Sequence, residues 1–222
     1  MKTLKVLELF AGQRCIGKAF EERGHHVFSI DYDKYHSNID WYADIGTITA
    51  ADIISRFGKP DIVWASPDCT SYSIAAISHH RTRDVDGNLA PKSDYAKLCD
   101  SVNRNLIKII SELAPIYWFI ENPRGGLRKM DFMKGLPRYT VTYCQYGDDR
   151  MKPTDIWTNH PNPCFKAMCQ KGGSCHTPAP RGSKTGTQGR KGKIERSLIP
   201  EGLCNHIVDI CEVHAERRKN AC

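Results

Sequence analysis

The chain has 222 residues, 40% of them hydrophobic and 26% charged, enough for one domain with a sizeable core and a small appended lobe. No run approaches the roughly eighteen apolar residues of a membrane span, and the opening Met1-Lys2-Thr3-Leu4-Lys5-Val6-Leu7-Glu8 lacks a signal core because Lys5 and Glu8 interrupt it. A net charge of +7 points to a polyanionic partner, and with no export signal the ten cysteines read as reduced thiols of a cytoplasmic protein.

Residues 4–10 read as a strand, 16–23 as a helix and 26–31 as a second strand. A short helix is expected at 50–57 and an apolar strand at 61–65. The spacing of Leu98, Val102, Leu106, Ile109, Ile110 and Leu113 predicts a long amphipathic helix over 95–113. Residues 116–120 read as strand, 131–135 as a brief helix and 139–144 as strand. Short apolar strands alternating with helices imply a mainly parallel sheet covered on both faces, with ligands beyond the carboxyl ends of its strands. Near Pro153 the character changes. From 160 to 196 Gly, Pro, Ser, Thr, Lys and Cys dominate without apolar periodicity, the pattern of a loop-rich or partly disordered lobe. Pro200-Glu201 opens a helix over 203–213, with Leu203, Ile207, Ile210 and Val213 on the face that packs back on the sheet; the basic tail 216–222 is expected to fray. The expected divisions are 1–155 for the sheet domain, 156–198 for the lobe and 199–222 for the returning helix. Cys99, Cys204 and Cys211 fall in helical patterns and read as small core residues.

Residues that carry chemistry gather at strand ends. Phe10-Ala11-Gly12 turns the chain after the first strand, where a glycine lets backbone approach a ligand and the next helix offers its amino end. Asp31 closes the second strand about twenty residues later, where a carboxylate can accept from both hydroxyls of a ribose. Ser66-Pro67-Asp68-Cys69 follows strand 61–65, so the Cys69 thiol is displayed in a turn rather than packed. Glu121-Asn122-Pro123 follows strand 116–120. In the lobe, Cys164, Cys169, Cys175 and His176 or His160 have a spacing that a tetrahedral zinc ion can reach, and a lobe so poor in apolar residues lacks another obvious source of stability. Arg181, Lys184, Arg190, Lys191 and Lys193 lie in a glycine-rich stretch without acid, suited to a phosphate backbone.

In this order and at this spacing, Leu7-Glu8-Leu9-Phe10-Ala11-Gly12, Ser66-Pro67-Asp68-Cys69 and Glu121-Asn122-Pro123 resemble the cofactor, nucleophile and acid loops of the cytosine-C5 DNA methyltransferases. The resemblance covers residues 4–155 and the returning helix from Pro200. It implies an α/β, Rossmann-like, S-adenosylmethionine-dependent methyltransferase fold with a small loop-rich recognition lobe. It implies that Phe10, Ala11, Gly12, Arg14, Asp31, Asp44, Ile45, Ser66 and Pro67 bind S-adenosylmethionine, with Asp44-Ile45 at the adenine edge. Cys69 is implied as the nucleophile that adds to C6 of cytosine, which asks for a lowered thiol pKa, and Glu121 as the acid at N3. Arg150 and Lys152 match two basic residues that contact the base and a phosphate. The loop with His79, His80, Arg81 and Arg83 is expected to close over a cytosine flipped from duplex DNA, Arg81 and Arg83 touching the DNA. The chain departs from the family pattern at Arg14 and Cys15, where glycine is usual, and at Asp68, Pro123 and Asp148, where proline, valine and glutamine are. Its compact lobe is similar to the small enzymes of phages and mobile elements, which implies a monomer in the cytoplasm of a bacterial or phage-infected cell. No membrane partner is expected and no metal is needed for the chemistry. The same chemistry on RNA or a nucleotide is one alternative; a non-catalytic nucleic-acid-binding module of the same fold is another, against which Cys69 and Glu121 argue.

Overall fold

Strands of branched and aromatic residues build one seven-stranded sheet in the computed structural model, which describes residues 3–170, 172–178 and 192–219 except the side chains of 193 and 214–219. In chain order the elements are β1 (Lys5–Leu9), α1 (Cys15–Glu22), β2 (His26–Asp31), β3 (Trp41–Tyr42), α2 (Ala50–Phe57), β4 (Ile62–Ala65), α3 (Ile77–His80), β5 (Arg81–Arg83), β6 (Leu89–Pro91), α4 (Asp94–Leu113), β7 (Tyr117–Pro123), β8 (Arg138–Thr142), β9 (Pro153–Thr158), α5 (Lys193–Ser197) and α6 (Glu201–Lys219). The sheet runs β3-β2-β1-β4-β7-β9-β8. Its first five strands are parallel, whereas β9 lies antiparallel between β7 and β8. The expected α/β class and parallel-dominated sheet are therefore present.

Strand β9 is the largest departure from the sequence reading, which saw only a change of character at Pro153. Its residues Thr154 to Thr158 are all buried, and it runs across the expected boundary at 155/156. Three polar residues in Pro-Thr-Asp-Ile-Trp-Thr mask the strand, because their burial is made possible by partners distant in sequence, such as Arg128 on Asp155 at 2.7 Å. The strand expected over 139–144 gives way after Thr142 to a 3-10 turn, Tyr143–Tyr146. A small antiparallel hairpin, β5–β6, also appears between the nucleophile loop and α4.

Alternation along the strands sends side chains to two cores. Val6, Trp64 and Phe119 join Phe20 of α1 and Leu203, Ile207 and Val208 of α6 on one face. Leu7, Leu9, Val63 and Ile120 join Ile53 of α2 and Leu106 and Ile109 of α4 on the other. Helix α6 thus returns to the sheet beside α1, held also by Arg23 on Asp209 (2.8 Å) and by His25 on Glu212 (3.1 Å). Two residues assigned to buried faces are exposed, Leu98 and Val213. On α4 the inward position belongs instead to Asn103, which donates to the Tyr72 hydroxyl at 3.1 Å and to the Cys99 carbonyl at 2.8 Å. Among the described residues no helix is long and apolar enough to cross a membrane.

Candidate active site

The turn after β1 is built by backbone conformation. Phe10, Gly12 and Arg14 all have left-handed φ, at 55°, 52° and 57°. A Cβ on Gly12 would meet nothing nearer than 3.9 Å, so it is the positive φ that favours glycine there. Arg14 adopts the same backbone region despite its side chain, which turns away along α1 to the Glu21 carboxylate. Its guanidinium is therefore committed to α1, and what Arg14 gives this turn is its backbone geometry. Asp31 joins this turn to the end of β2: one carboxylate oxygen accepts from Gly12 N at 2.8 Å and the other from Asp33 N at 2.8 Å. A carboxylate has about four lone-pair sites, so two remain for hydroxyl donors, which fits the ribose of S-adenosylmethionine. Asp44 is exposed and caps its own turn through Gly46 N at 2.8 Å. The Ile45 side chain is packed in the core and its carbonyl accepts from Asn105 at 2.6 Å, so any ligand contact at Ile45 comes from its backbone.

Strand β4 delivers the thiol. Beyond Ala65, Ser66 N donates to the Leu9 carbonyl (3.2 Å) and Ser66 Oγ accepts from Trp64 Nε1 (2.8 Å), which fastens this turn to the end of β1. Pro67 is buried, and its carbonyl accepts from Asn122 Nδ2 at 2.9 Å. Asp68 accepts from Thr70 N at 2.6 Å and the Cys69 carbonyl from Tyr72 N at 3.1 Å, giving the 3-10 turn that holds the half-buried Cys69. Behind it, Gly126 N donates to the Tyr72 carbonyl at 2.7 Å, and a Cβ on Gly125 would come within 2.5 Å of that oxygen. The Gly125-Gly126 pair therefore lets the chain after Glu121 press against the nucleophile turn, a constraint that two adjacent glycines could have signalled.

Glu121 lies within β7 and is buried. The Tyr143 hydroxyl donates to its Oε1 at 3.0 Å and the Ser66 hydroxyl to the carboxylate as well. Burial raises its pKa, against the opposing charge of Lys152 and these two donors. Lys152, just before β9, packs over the Tyr143 ring at 4.5 Å and donates to the Arg196 carbonyl at 3.1 Å. Burial lowers its pKa, opposed by Glu121 and Cys69. The Cys69 thiol is the surprise: burial first, then Asp68, pushes it up to about 11, with Lys152 opposing and Glu121 adding to the rise. The expected lowering is absent, and the resting thiol is neutral at pH 7.

Arg150 does not share the place of Lys152. It is buried, gripped by the Asp148 carboxylate through Nε at 2.8 Å and through Nη2, and donates to the Glu195 carbonyl at 3.2 Å. Asp148, standing where glutamine is usual, thus holds the guanidinium away from open contact. Arg81 also departs from its expected DNA-facing role. Its side chain is enclosed, bonded to the Ser71 carbonyl at 2.8 Å and to Asp100 at 2.7 Å, and stacked on the Tyr72 ring. His80 is bonded to Ser93, while His79 and Arg83 are exposed, Arg83 reaching the Gly87 carbonyl. Arg181, Lys184, Arg190 and Lys191 and the side chain of Lys193 lie outside the described residues. Of the expected metal ligands, Cys169, Cys175 and His176 come together, but Cys164 and His160 do not join them: the Cys164 thiol donates to Asn162 and His160 is buried near the Ile210 carbonyl. Buried Cys144, read from the sequence as the end of a strand, completes the group instead. Tyr143, the partner of Glu121, is a further site residue that the sequence reading does not single out; its signal is a hydroxyl-bearing aromatic in the turn just after a strand.

The family model of C-5 cytosine-specific DNA methylases matches residues 4–139. A relative from Frog virus 3 (isolate Goorha), named "Probable DNA (cytosine-5)-methyltransferase", is 28% identical over 227 residues, covering 94% of this chain and 100% of the relative. Among solved structures, the Entamoeba histolytica methyltransferase EhMeth aligns with a TM-score of 0.54 at 15% identity, over 77% of this chain and 57% of that one. A structure described as a DNA modification methyltransferase encoded within a prophage (E. coli) aligns with a TM-score of 0.52 at 15% identity, over 70% of this chain and 46% of that one. The chain thus spans about half the length of these two structures, and at 15% identity they bear on the fold alone. With well over half of its residues matched by the family model, the chain belongs to the C-5 cytosine-specific DNA methylases, a family of DNA (cytosine-5)-methyltransferases.

Proposed function

We propose that this chain methylates C5 of cytosine in DNA through a covalent bond between Cys69 and C6, with the base flipped out of the duplex. The observation that carries the reading is the convergence of a thiol, a buried carboxyl and a buried ammonium: Lys152 and Glu121 both act on the ionisation of Cys69, and Lys152 and Glu121 act on each other's. Cytosine C5 is too weak a carbon nucleophile on its own. Addition of the Cys69 sulfur to C6 breaks the C5–C6 double bond and moves its electron pair into an enamine across C4 and C5, and a proton held at N3 by Glu121 makes C6 accept the sulfur. Glu121 suits that role because burial raises its pKa and so favours its protonated form. Lys152 opposes the burial cost of both anions as they develop. The Gly12 turn and Asp31 would hold S-adenosylmethionine, which when bound would supply the methyl group as an electrophile. After transfer, a base takes the C5 proton, the C5–C6 double bond re-forms and the sulfur leaves with its electron pair as the thiolate.

With the resting thiol held up at about 11, the proposed addition requires it to lose its proton as the target base arrives. That same thiol and the locked Arg150 also favour a second reading, a nucleic-acid-binding module without turnover. Incubation with S-adenosylmethionine labelled in its methyl group separates them. Label in 5-methylcytosine of duplex DNA supports the proposal, label in RNA or free nucleotide redirects it to that substrate, and binding without label supports the module.

A further inference from the structure

Four ligand atoms converge outside the reaction centre, those of Cys144, Cys169, Cys175 and His176, all within 4.8 Å of one another. We propose that they hold a structural zinc ion that clamps the lobe to the end of the sheet. Zinc bonds of about 2.3 Å to sulfur and 2.0 Å to nitrogen, directed tetrahedrally, place donors roughly 3.5–3.8 Å apart. The separations here are 3.2 Å from Cys169 Sγ to Cys175 Sγ, 3.5 Å from Cys169 Sγ to His176 Nδ1 and 3.7 Å from Cys175 Sγ to His176 Nδ1. All three cysteines are free thiols, and the 3.2 Å sulfur contact is not a disulfide. Three thiols and an imidazole form a soft-to-borderline set that selects zinc over magnesium or calcium. Four protein ligands leave no open position, which marks a structural rather than a catalytic site.

The surrounding chain is shaped for this convergence. Cys169 N donates to Thr142 Oγ1 at 2.8 Å, fixing the loop to the end of β8. Between the two loop cysteines, Gly172 has φ +88°, and a Cβ on Gly173 would come within 2.9 Å of Cys169 Sγ. Gln145 Nε2 donates to Cys175 Sγ at 3.3 Å, the kind of outer hydrogen bond that orients a metal thiolate. Cys144 is the ligand that gives the site its consequence. It adjoins Tyr143, whose hydroxyl holds Glu121, so an ion here would stiffen the wall of the acid's pocket. It would also supply stability that a lobe with Phe165 packed against the core otherwise has little means to gain.

The test uses the full chain, purified without a metal-affinity step and given stoichiometric Zn²⁺ before desalting. Elemental analysis should find about one zinc per chain. Chelation should lower the thermal midpoint, and cobalt substitution should give a thiolate charge-transfer band. Cys175→Ser and His176→Ala, neither of them buried in the core, should lose most of the zinc, while Cys164→Ser keeps it. A chain that retains no zinc, a Cys169–Cys175 disulfide in thiol-blocked protein, or zinc lost from Cys164→Ser but kept by Cys175→Ser would each overturn the proposal.

Discussion

Asn122 Nδ2 donates a 2.9 Å hydrogen bond to the Pro67 carbonyl, 55 residues away in sequence, and so ties the strand that carries Glu121 to the turn that carries Cys69. Asn122 is buried and its own Oδ1 has no hydrogen-bond partner among the described residues, so the bond sets the spacing of the two groups beside an unpaired acceptor. Asn122→Ala should destabilise the fold by about 1–3 kcal/mol, because the Pro67 carbonyl loses its donor. Its kcat should fall further, on the order of 100-fold, since a small misplacement of reacting groups is costly. Urea unfolding and steady-state kinetics on one preparation check both, and an unchanged kcat would show that the tether does not set the reaction geometry.

Cys69→Ser should abolish methyl transfer while leaving S-adenosylmethionine binding within a few-fold, because Gly12 and Asp31, which would hold the cofactor, lie on the β1 and β2 turns and not on the Cys69 side chain. DNA with 5-fluorocytosine at the target should trap a denaturation-resistant adduct on Cys69 only when the methyl donor is present, since fluorine cannot leave as a proton. Mass spectrometry locates the adduct; attachment elsewhere rejects the assignment.

The Tyr143 hydroxyl favours the ionised form of Glu121. Removing it in Tyr143→Phe should therefore raise the Glu121 pKa further. The proposed role needs Glu121 protonated, so the activity limb that falls with rising pH should move to higher pH. Glu121→Gln should lose most activity and abolish that limb, which identifies it in the pH–rate profile.

Glu8, in β1, is fully enclosed, and burial raises its pKa from 4.5 to about 7. A carboxyl with a raised folded pKa binds more protons folded than unfolded, so stability should fall as pH rises from 4.5 to about 7. At one pKa unit to about 1.4 kcal/mol, this amounts to roughly 3 kcal/mol above pH 7. Glu8→Gln should flatten that part of the stability–pH curve, measured by urea unfolding between pH 4 and pH 8 (roughly the window of the two pKa values). A variant with the wild-type slope would place the titration elsewhere.

Arg81→Ala should act on folding, not on DNA affinity. It leaves Asp100 without the guanidinium that now pairs it, at about 3–5 kcal/mol. Neutralising Arg190, Lys191 and Lys193 together should do the opposite, flattening the salt dependence of DNA binding by about one log–log unit for each phosphate no longer neutralised. Titrations at several salt concentrations separate the two; an unchanged slope in the triple variant would remove the lobe as the surface that meets DNA.

The sequence by itself determined the alternation of strand and helix through β7, the helix that returns from Pro200, and the turns where Gly12, Asp31 and Cys69 stand. Those are local matters: apolar periodicity, a glycine after a strand, a thiol in a Pro- and Ser-flanked turn. Only the tertiary structure decided which polar residues look inward. Strand β9 hides behind Thr154, Asp155 and Thr158, whose burial rests on pairing with β7 and β8. Arg81 and Arg83 are two residues apart in the same strand, yet one is enclosed by Asp100 and the other exposed, a difference made by what packs around each and not by the strand itself. Arg150 and Lys152 looked equivalent until Asp148 captured the first. Cys144 replaced Cys164 because a tetrahedral set is chosen by convergence in space, and 25 residues separate Cys144 from the nearest of its three partners in sequence (169 − 144). The ionisation of Cys69 was equally out of reach, because burial and the charges of Asp68, Lys152 and Glu121 act through distances that the order of residues does not contain.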